Sequence, residues 1–216
     1  MKVGVLGTGG VGQTIASKLV ELGHEVTMGS RSADNETAAE WVAASGGAAS
    51  QGTFADAAAA GEIVFNCTAG TASLAALEAA GAENLAGKVL VDAANPLDFS
   101  KGMPPTLSVC NDDSLGEQIQ ATHPDARVVK TLNTVNTSVM TAPGGLTEPT
   151  TIYVAGNEDG AKAEVGALLE SFGWEPDSIL DLGDITAARG MEMYLPLWLR
   201  MMGALGMPTF NVRVVR

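Results

Sequence analysis

Gly7, Gly9 and Gly12 form a G-x-G-x-x-G run inside MKVGVLGTGGVGQTIASKL, directly after an apolar strand candidate and directly before an amphipathic helix candidate. Few short patterns restrict a fold as tightly when that context is present. The first glycine permits a tight turn, the second lets the backbone approach a pyrophosphate, and the third lets the helix pack on the strand. The helix start then supplies N–H donors to the anion. Alanine- and glycine-rich chains produce the spacing by chance, so the weight rests on the flanking elements. With those in place, Gly7, Thr8, Gly9, Gly10, Val11 and Gly12 are the expected phosphate turn of a dinucleotide site rather than a purely structural loop.

The rest of the chain repeats the rhythm. KVGVLG, EVTMGS, EIVFNCT, KVLVDAA, ARVVKTL, TIYVAG and FNVRVV read as strands, most of them continuous apolar runs of the kind covered on both faces. Between them lie Ala-rich helical segments, of which VGQTIASKLVELG sets Val11, Ile15, Leu19 and Leu22 on one face and stops at Gly23. This alternation predicts an α/β fold: a Rossmann-type parallel sheet with helices on both faces and a small C-terminal α/β region. Residues 95–114, NPLDFSKGMPPTLSVCNDDS, hold three prolines and little periodicity, and read as a long site-lining loop. After the Pro and Gly cluster at 141–149 come TIYVAG, the helix DGAKAEVGALLESFG, a short strand candidate SILDL and a long helix from about Ile185. The expected division is a dinucleotide-binding domain over residues 1–142 and a small C-terminal domain over 143–216.

Composition narrows the partners. At 216 residues and 46% hydrophobic content the chain can bury a full core, and 25 acidic against 12 basic residues leave a net charge of -13. Such a surface opposes nucleic-acid phosphates and anionic lipid alike. The longest apolar stretch, MYLPLWLRMMGALGM, is broken by Pro196 and Arg200 and does not read as a membrane span. The glycine turn begins too early to follow an apolar leader, so the expected location is cytoplasmic. Cys67 and Cys110 have neither metal-ligand nor Cys-x-x-Cys spacing and read as small buried hydrophobes.

The second strand ends at Ser30, where NAD-binding chains place a carboxylate for the adenosine ribose. Here the chain offers Ser30, Arg31 and Ser32. An arginine can pair with a 2′-phosphate and stack on adenine while the hydroxyls donate to the same phosphate, so the expected cofactor is NADP(H). The alternative is a solvated Arg31 with Ser32 capping the next helix. Asp34 lies beyond the strand end.

The runs VGVLGTGGVGQTIASKLVELGHEVTMGSR, VVKTLNTVN and ARGMEMYLPLWLRMMGALG resemble the F420-dependent NADP oxidoreductase family, and the resemblance covers nearly the whole chain. It implies an NADP-binding Rossmann domain, a C-terminal region that shapes a deazaflavin site, and a homodimer. It also implies that Thr8, Ser30 and Arg31 hold nucleotide phosphates. Where members carry a lysine soon after the arginine this chain has Asn35, and where archaeal members carry a histidine it has Asn133.

The carboxyl ends of the remaining parallel strands should face the nicotinamide, which singles out Thr68, Ala69, Ala94, Asn95, Pro96, Asn133 and Asn136. The asparagine amides can read a heterocycle's edge or merely tie down a loop. His24 and His123 sit in turns and read as solvated, and no catalytic acid, base or metal cluster stands out. Hydride transfer between a nicotinamide and coenzyme F420 or a related flavin needs none, because the rings carry the reaction. Two alternatives remain: an NADPH-dependent carbonyl or imine reductase with Lys130 as proton donor, and a non-catalytic NADP-binding redox sensor. Arg189 is the expected local charge for an acidic acceptor tail, and the C-terminal Met and aromatic residues read as core or dimer interface.

Overall fold

In the computed structural model, which describes residues 1–215, the first half of the chain alternates strand and helix. The elements are β1 (Lys2–Leu6), α1 (Gly10–Glu21), β2 (Glu25–Ser30), α2 (Glu36–Ser45), β3 (Ala49–Thr53), α3 (Phe54–Ala60), β4 (Ile63–Asn66), α4 (Gly70–Ala80), α5 (Ala82–Leu85) and β5 (Val89–Asp92). A small antiparallel hairpin of β6 (Leu97–Asp98) and β7 (Thr106–Leu107) follows. The remainder is α6 (Leu115–Thr122), β8 (Arg127–Thr131), α7 (Thr137–Met140), β9 (Ile152–Ala155), α8 (Asp159–Ser171), β10 (Ile179–Asp181), α9 (Ala188–Met193) and α10 (Leu195–Leu205).

Eight strands make one sheet in the order β3-β2-β1-β4-β5-β8-β9-β10. Neighbours from β3 to β8 are parallel, β9 runs antiparallel to β8 through Lys130↔Ala155, and β10 is parallel to β9. The chain moves outward from β1 to β3 and then returns to β4 on the other side of β1. Winding therefore reverses between β1 and β4, where a crevice opens beyond the carboxyl ends of the strands. This is the Rossmann-type sheet that the alternating pattern predicts.

Side chains along each central strand alternate between two cores. Val3, Val5, Ile63, Phe65, Val89, Val91 and Val129 pack on one face with Ile15 and Leu19 of α1, while Leu6, Val64, Leu90 and Val128 pack on the other with Leu77 and Ile119. Covering both faces is what makes the strands read as unbroken apolar runs. α3 lies very close to the sheet because Gly4 of β1 and Gly29 of β2 leave room for Ala57: a Cβ on Gly4 would meet the Ala57 carbonyl oxygen at 2.3 Å.

Several expectations are corrected. The sequence reading contains no β3 or α3. β3, ASQGT, is a polar edge strand that lacks the apolar run, and α3 is a seven-residue helix opened by a Thr53–Asp56 capping box. FNVRVV is not a strand: the tail instead crosses the start of β9, with Thr151 N–H donating to the Val212 carbonyl at 2.9 Å and Val214 N–H to the Thr151 hydroxyl at 2.9 Å. The helix expected from Ile185 divides into a 3-10 turn, α9 and α10, with Pro196 in the first turn of α10, where its missing N–H costs nothing. Asn35, not Ser32, caps α2 by accepting from Ala38 N–H at 3.0 Å. His123 is buried at the end of α6, 5% exposed, rather than solvated; burial lowers its pKa, against a small opposing pull from Glu78, and neither ring nitrogen has a partner. Among the described residues no helix is long and apolar enough to cross a membrane.

Candidate active site

The glycine turn leaves β1 with Gly7 N–H donating to the Gly29 carbonyl at 2.9 Å, and Gly7 has φ of 116°, open to glycine and strained for other residues. A Cβ on Gly12 would lie 2.1 Å from the Gly7 carbonyl oxygen, so the third glycine is what lets α1 sit on the turn. Gly9 and Gly10 differ: a Cβ on either meets nothing within 4 Å. Space is kept there although packing does not require glycine. Gly9 is the N-cap of α1 and offers no side-chain cap, and the first helical turn carries no acidic residue, which leaves N–H donors free for an anion. The Gln13 side chain braces the turn by donating to the Thr8 carbonyl at 2.9 Å, and Val11 is half-buried beside it. The cradle fits a dinucleotide pyrophosphate.

At the end of β2, Ser30 is buried and its hydroxyl donates to the Ser32 carbonyl at 2.5 Å, shaping the turn. Arg31 is exposed and makes no ion pair among the described residues. The Ser32 hydroxyl donates to Asp34, and that bond holds the Asp34 carboxyl below the usual range. The guanidinium is available to an anion such as a 2′-phosphate, while the Ser32 hydroxyl is already engaged by Asp34.

The other side of the crevice is polar and mostly internal. Asn66, at the end of β4, donates to Ser73 at 3.1 Å and to Asp92 at 2.9 Å, and accepts from the Thr68 hydroxyl at 2.7 Å. Ala69 is the exposed N-cap of α4, again without a side-chain cap. A Cβ on Gly70 would meet the Asn95 carbonyl oxygen at 2.0 Å, so the Ala94–Asn95–Pro96 turn lies against the start of α4. Asn95 and Asn133 pair across the crevice: Asn95 Nδ2 donates to the Asn133 carbonyl at 2.8 Å, and Asn133 Nδ2 donates to Asn95 Oδ1 at 2.9 Å and to the Met191 carbonyl of α9 at 3.2 Å. Asn133 Oδ1 and Thr134 Oγ1 are buried without partners. Asn136 caps α7, accepting from Ser138 N–H at 3.0 Å. Between β8 and this loop the buried Leu132 has φ of 64°, a strained conformation for leucine of the kind that collects at functional sites.

Sequence reasoning named Lys130 as a proton donor but missed Asp92 and Glu192, the carboxylates that enclose it beneath the turn. Lys130 is fully buried, with its ammonium 2.7 Å from Asp92, 2.8 Å from Glu192 and 2.6 Å from the Ala94 carbonyl. Burial lowers its pKa, but the charges of Asp92 and Glu192 outweigh that and hold it above the ordinary value of 10.5. An enclosed ammonium of this kind is not placed to donate a proton to substrate. The signal was available as one charge inside each apolar run, KVLVDAA and ARVVKTL. Arg189 is likewise committed, making a bidentate pair with Glu117 at 2.8 and 2.6 Å. Burial and the nearby Asp92 raise the Cys67 thiol pKa, which keeps the thiol inert. Among the described residues no group of three His, Cys, Asp or Glu side chains could hold a metal ion.

A reversed-winding parallel sheet, an uncapped helix start on a glycine turn and an exposed arginine at the second strand end are the features of a dinucleotide-binding crevice. The model of the family described as coenzyme F420-dependent NADP oxidoreductase matches residues 2–96. A crystal structure of a candidate F420-dependent NADP-reductase from Arthrobacter sp. FB24 is 54% identical, covers 100% of both chains and superposes with a TM-score of 0.95. The chain belongs to this family and is an NADP-dependent oxidoreductase. The metalloreductase STEAP3 of Rattus norvegicus is 29% identical over 204 residues, and the chain spans 91% of its own length but 38% of that protein's. A reductive aminase from Aspergillus terreus, solved with NADPH4, cyclohexanone and allyl amine, shares the fold at 21% identity and a TM-score of 0.66 over 95% of this chain and 62% of its own.

Proposed function

We propose that the chain is a cytoplasmic, dimeric enzyme passing hydride between NADP(H) and coenzyme F420 or a related flavin, with residues 1–142 holding NADP(H) and residues 143–216 shaping the acceptor side. The observation that carries the reading is the state of the polar groups at the β8 end. Two buried polar atoms, Asn133 Oδ1 and Thr134 Oγ1, have no partner there, while the charged groups nearby are locked into internal pairs. A buried polar atom without a partner costs about 1–3 kcal/mol, so a ligand with a polar edge is the natural complement. Hydride transfer between two flat rings asks the protein only to orient them and exclude water, which suits a site with no free acid or base. Met193, Leu197, Leu205 and Met207 are exposed apolar residues in one C-terminal stretch, which supports its burial in a dimer.

The direct test is spectroscopic: protein, NADPH and F420 mixed anaerobically should bleach the F420 absorbance. Oxidised F420 at every pH tried would remove the deazaflavin; NADPH consumption with small carbonyls or imines would then favour the reductase alternative, and no consumption at all the sensor. A variant sharpens the test. Because Thr134 is buried, a larger residue would disturb packing, whereas Thr134→Val keeps the shape and deletes the hydroxyl. It should leave melting temperature equal or higher while weakening acceptor binding roughly tenfold, as expected for about one lost hydrogen bond in a dry site. Unchanged acceptor KM would remove Thr134 from the site.

Cofactor choice is tested at the β2 end. Arg31→Ala should weaken NADPH by roughly 10- to 100-fold through loss of a charge-assisted contact, with little change for NADH. Asp34→Asn should act in the opposite direction, by about two- to fivefold at low salt, because it removes a negative charge beside the phosphate and frees Ser32. Fluorescence titration of both cofactors decides; equal native affinities for NADPH and NADH would reject the 2′-phosphate assignment.

A further inference from the structure

Beneath the Ala94–Asn95–Pro96 turn lies a cluster of three charges, Asp92, Lys130 and Glu192, all at most 1% exposed. Every polar group facing the ammonium is accounted for: Asp92 from β5, Glu192 from α9 and the Ala94 carbonyl. Each carboxylate is in turn anchored elsewhere. Asp92 Oδ1 accepts from Asn66 at 2.9 Å and from Ala94 N–H at 3.2 Å, so Lys130 and Asp92 together grip both backbone groups of Ala94. Glu192 accepts from the first N–H groups of α6, Leu115 at 2.9 Å and Gly116 at 3.1 Å, where a helix start offsets the surplus negative charge. One residue beyond Ala94, Asn95 pairs with Asn133, which holds the Met191 carbonyl next to Glu192. The contacts close a ring through β5, β8 and α9.

Stability alone is a poor account of such a ring, because packed apolar residues commonly replace a buried ion cluster without loss. Geometry is what apolar residues would not supply. We propose that Lys130, held between Asp92 and Glu192, is a positioning residue that sets the Ala94–Asn95–Pro96 turn against the nicotinamide half of the cofactor and couples that turn to α9. The inference rests on the assignment of this turn to the nicotinamide side. It makes Glu192, which lies in the C-terminal segment, part of cofactor orientation.

Two variants keep the buried charge nearly balanced: Glu192→Gln leaves the Lys130–Asp92 pair, and Lys130→Met with Asp92→Asn leaves Glu192 on the start of α6. Should one fail to fold, the other carries the test. Affinity is measured for NADPH and for 2′,5′-ADP, which is the adenosine half alone, together with the fluorescence anisotropy of bound NADPH and the melting temperature. The expected result is 2′,5′-ADP affinity within about twofold of native, NADPH affinity lower by about tenfold, and reduced anisotropy of the bound nicotinamide, as a loss of preorganisation predicts. A native ratio of NADPH to 2′,5′-ADP affinity with native anisotropy, whatever the melting temperature, overturns the proposal and leaves the cluster a stabilising one. Equal losses for both ligands also overturn it, since that is general loosening. No hydride acceptor enters the measurement, so its outcome is independent of whether F420 is reduced. If the native protein itself binds NADPH no tighter than 2′,5′-ADP, the placement of the turn fails, and the proposal with it.

Discussion

Gly9→Val is expected to fold with nearly native stability and to lose NADPH binding by at least about 100-fold, whereas Gly12→Ala is expected to be strongly destabilised. The contrast comes from what each new Cβ meets. At Gly9 there is nothing within 4 Å, and the residue has φ of -75° and ψ of 179°, an extended conformation open to valine. The cost of a poor N-cap is below about 1 kcal/mol when glycine is the starting point. The valine methyls would instead stand where the pyrophosphate approaches the helix start, and a 100-fold loss corresponds to about 2.7 kcal/mol. At Gly12 the Cβ would fall 2.1 Å from the Gly7 carbonyl oxygen, a backbone atom that has no rotamer to escape into. Overpacking against backbone belongs at the upper end of the range, about 3 kcal/mol or more. Thermal melting and fluorescence titration of both variants decide: a Gly9→Val protein that still binds NADPH would make the turn structural only.

The parts of this molecule that could be read from its sequence are those whose causes are local. The turn from Gly7 to Gly12 states its own geometry within six residues, and each central strand shows its double burial as an apolar run. β3 was not legible because an edge strand is covered on fewer sides, so ASQGT needs no apolar run. FNVRVV failed in the opposite sense: its alternation suits a strand, but the chain leaves α10 at Gly206 and the tail bonds to Thr151 instead of extending the sheet. His123 was misread because ATHPDA has the composition of a solvated turn, while the packing of α6 buries it. The ionic ring is the least local feature. Asp92 and Lys130 lie 38 residues apart and become neighbours only through the register Asp92↔Lys130 between β5 and β8, and Glu192 arrives from the far end of the chain. Membership of the family places the chain among NADP oxidoreductases but does not single out these three residues.

The single variant Lys130→Met should be the most destabilising side-chain truncation in the crevice, by about 3–5 kcal/mol, because it leaves two carboxylates buried without their cation. For a chain of this size that corresponds to a fall in melting temperature on the order of 10 °C. The pH dependence separates this cause from a simple loss of packing. In the native protein the folded-state pKa of Lys130 is raised, so its contribution is fully present below the ordinary value of 10.5 and is lost as pH rises through the higher folded value. Native stability should therefore decline at strongly alkaline pH. In the variant that lysine contribution is absent, so the deficit relative to native should be largest below the ordinary value of 10.5 and shrink as pH rises through the higher folded value. A cavity left by a missing side chain would not respond to protons in this way. Adding Asp92→Asn removes one of the two stranded charges, and the remaining Glu192 keeps its N–H partners on α6, so the double variant should recover a large share of the loss. Denaturant melts at neutral and at strongly alkaline pH decide the point: a deficit that is the same at both, or a double variant no more stable than the single one, would mean that shape, and not charge, governs the site beneath the turn.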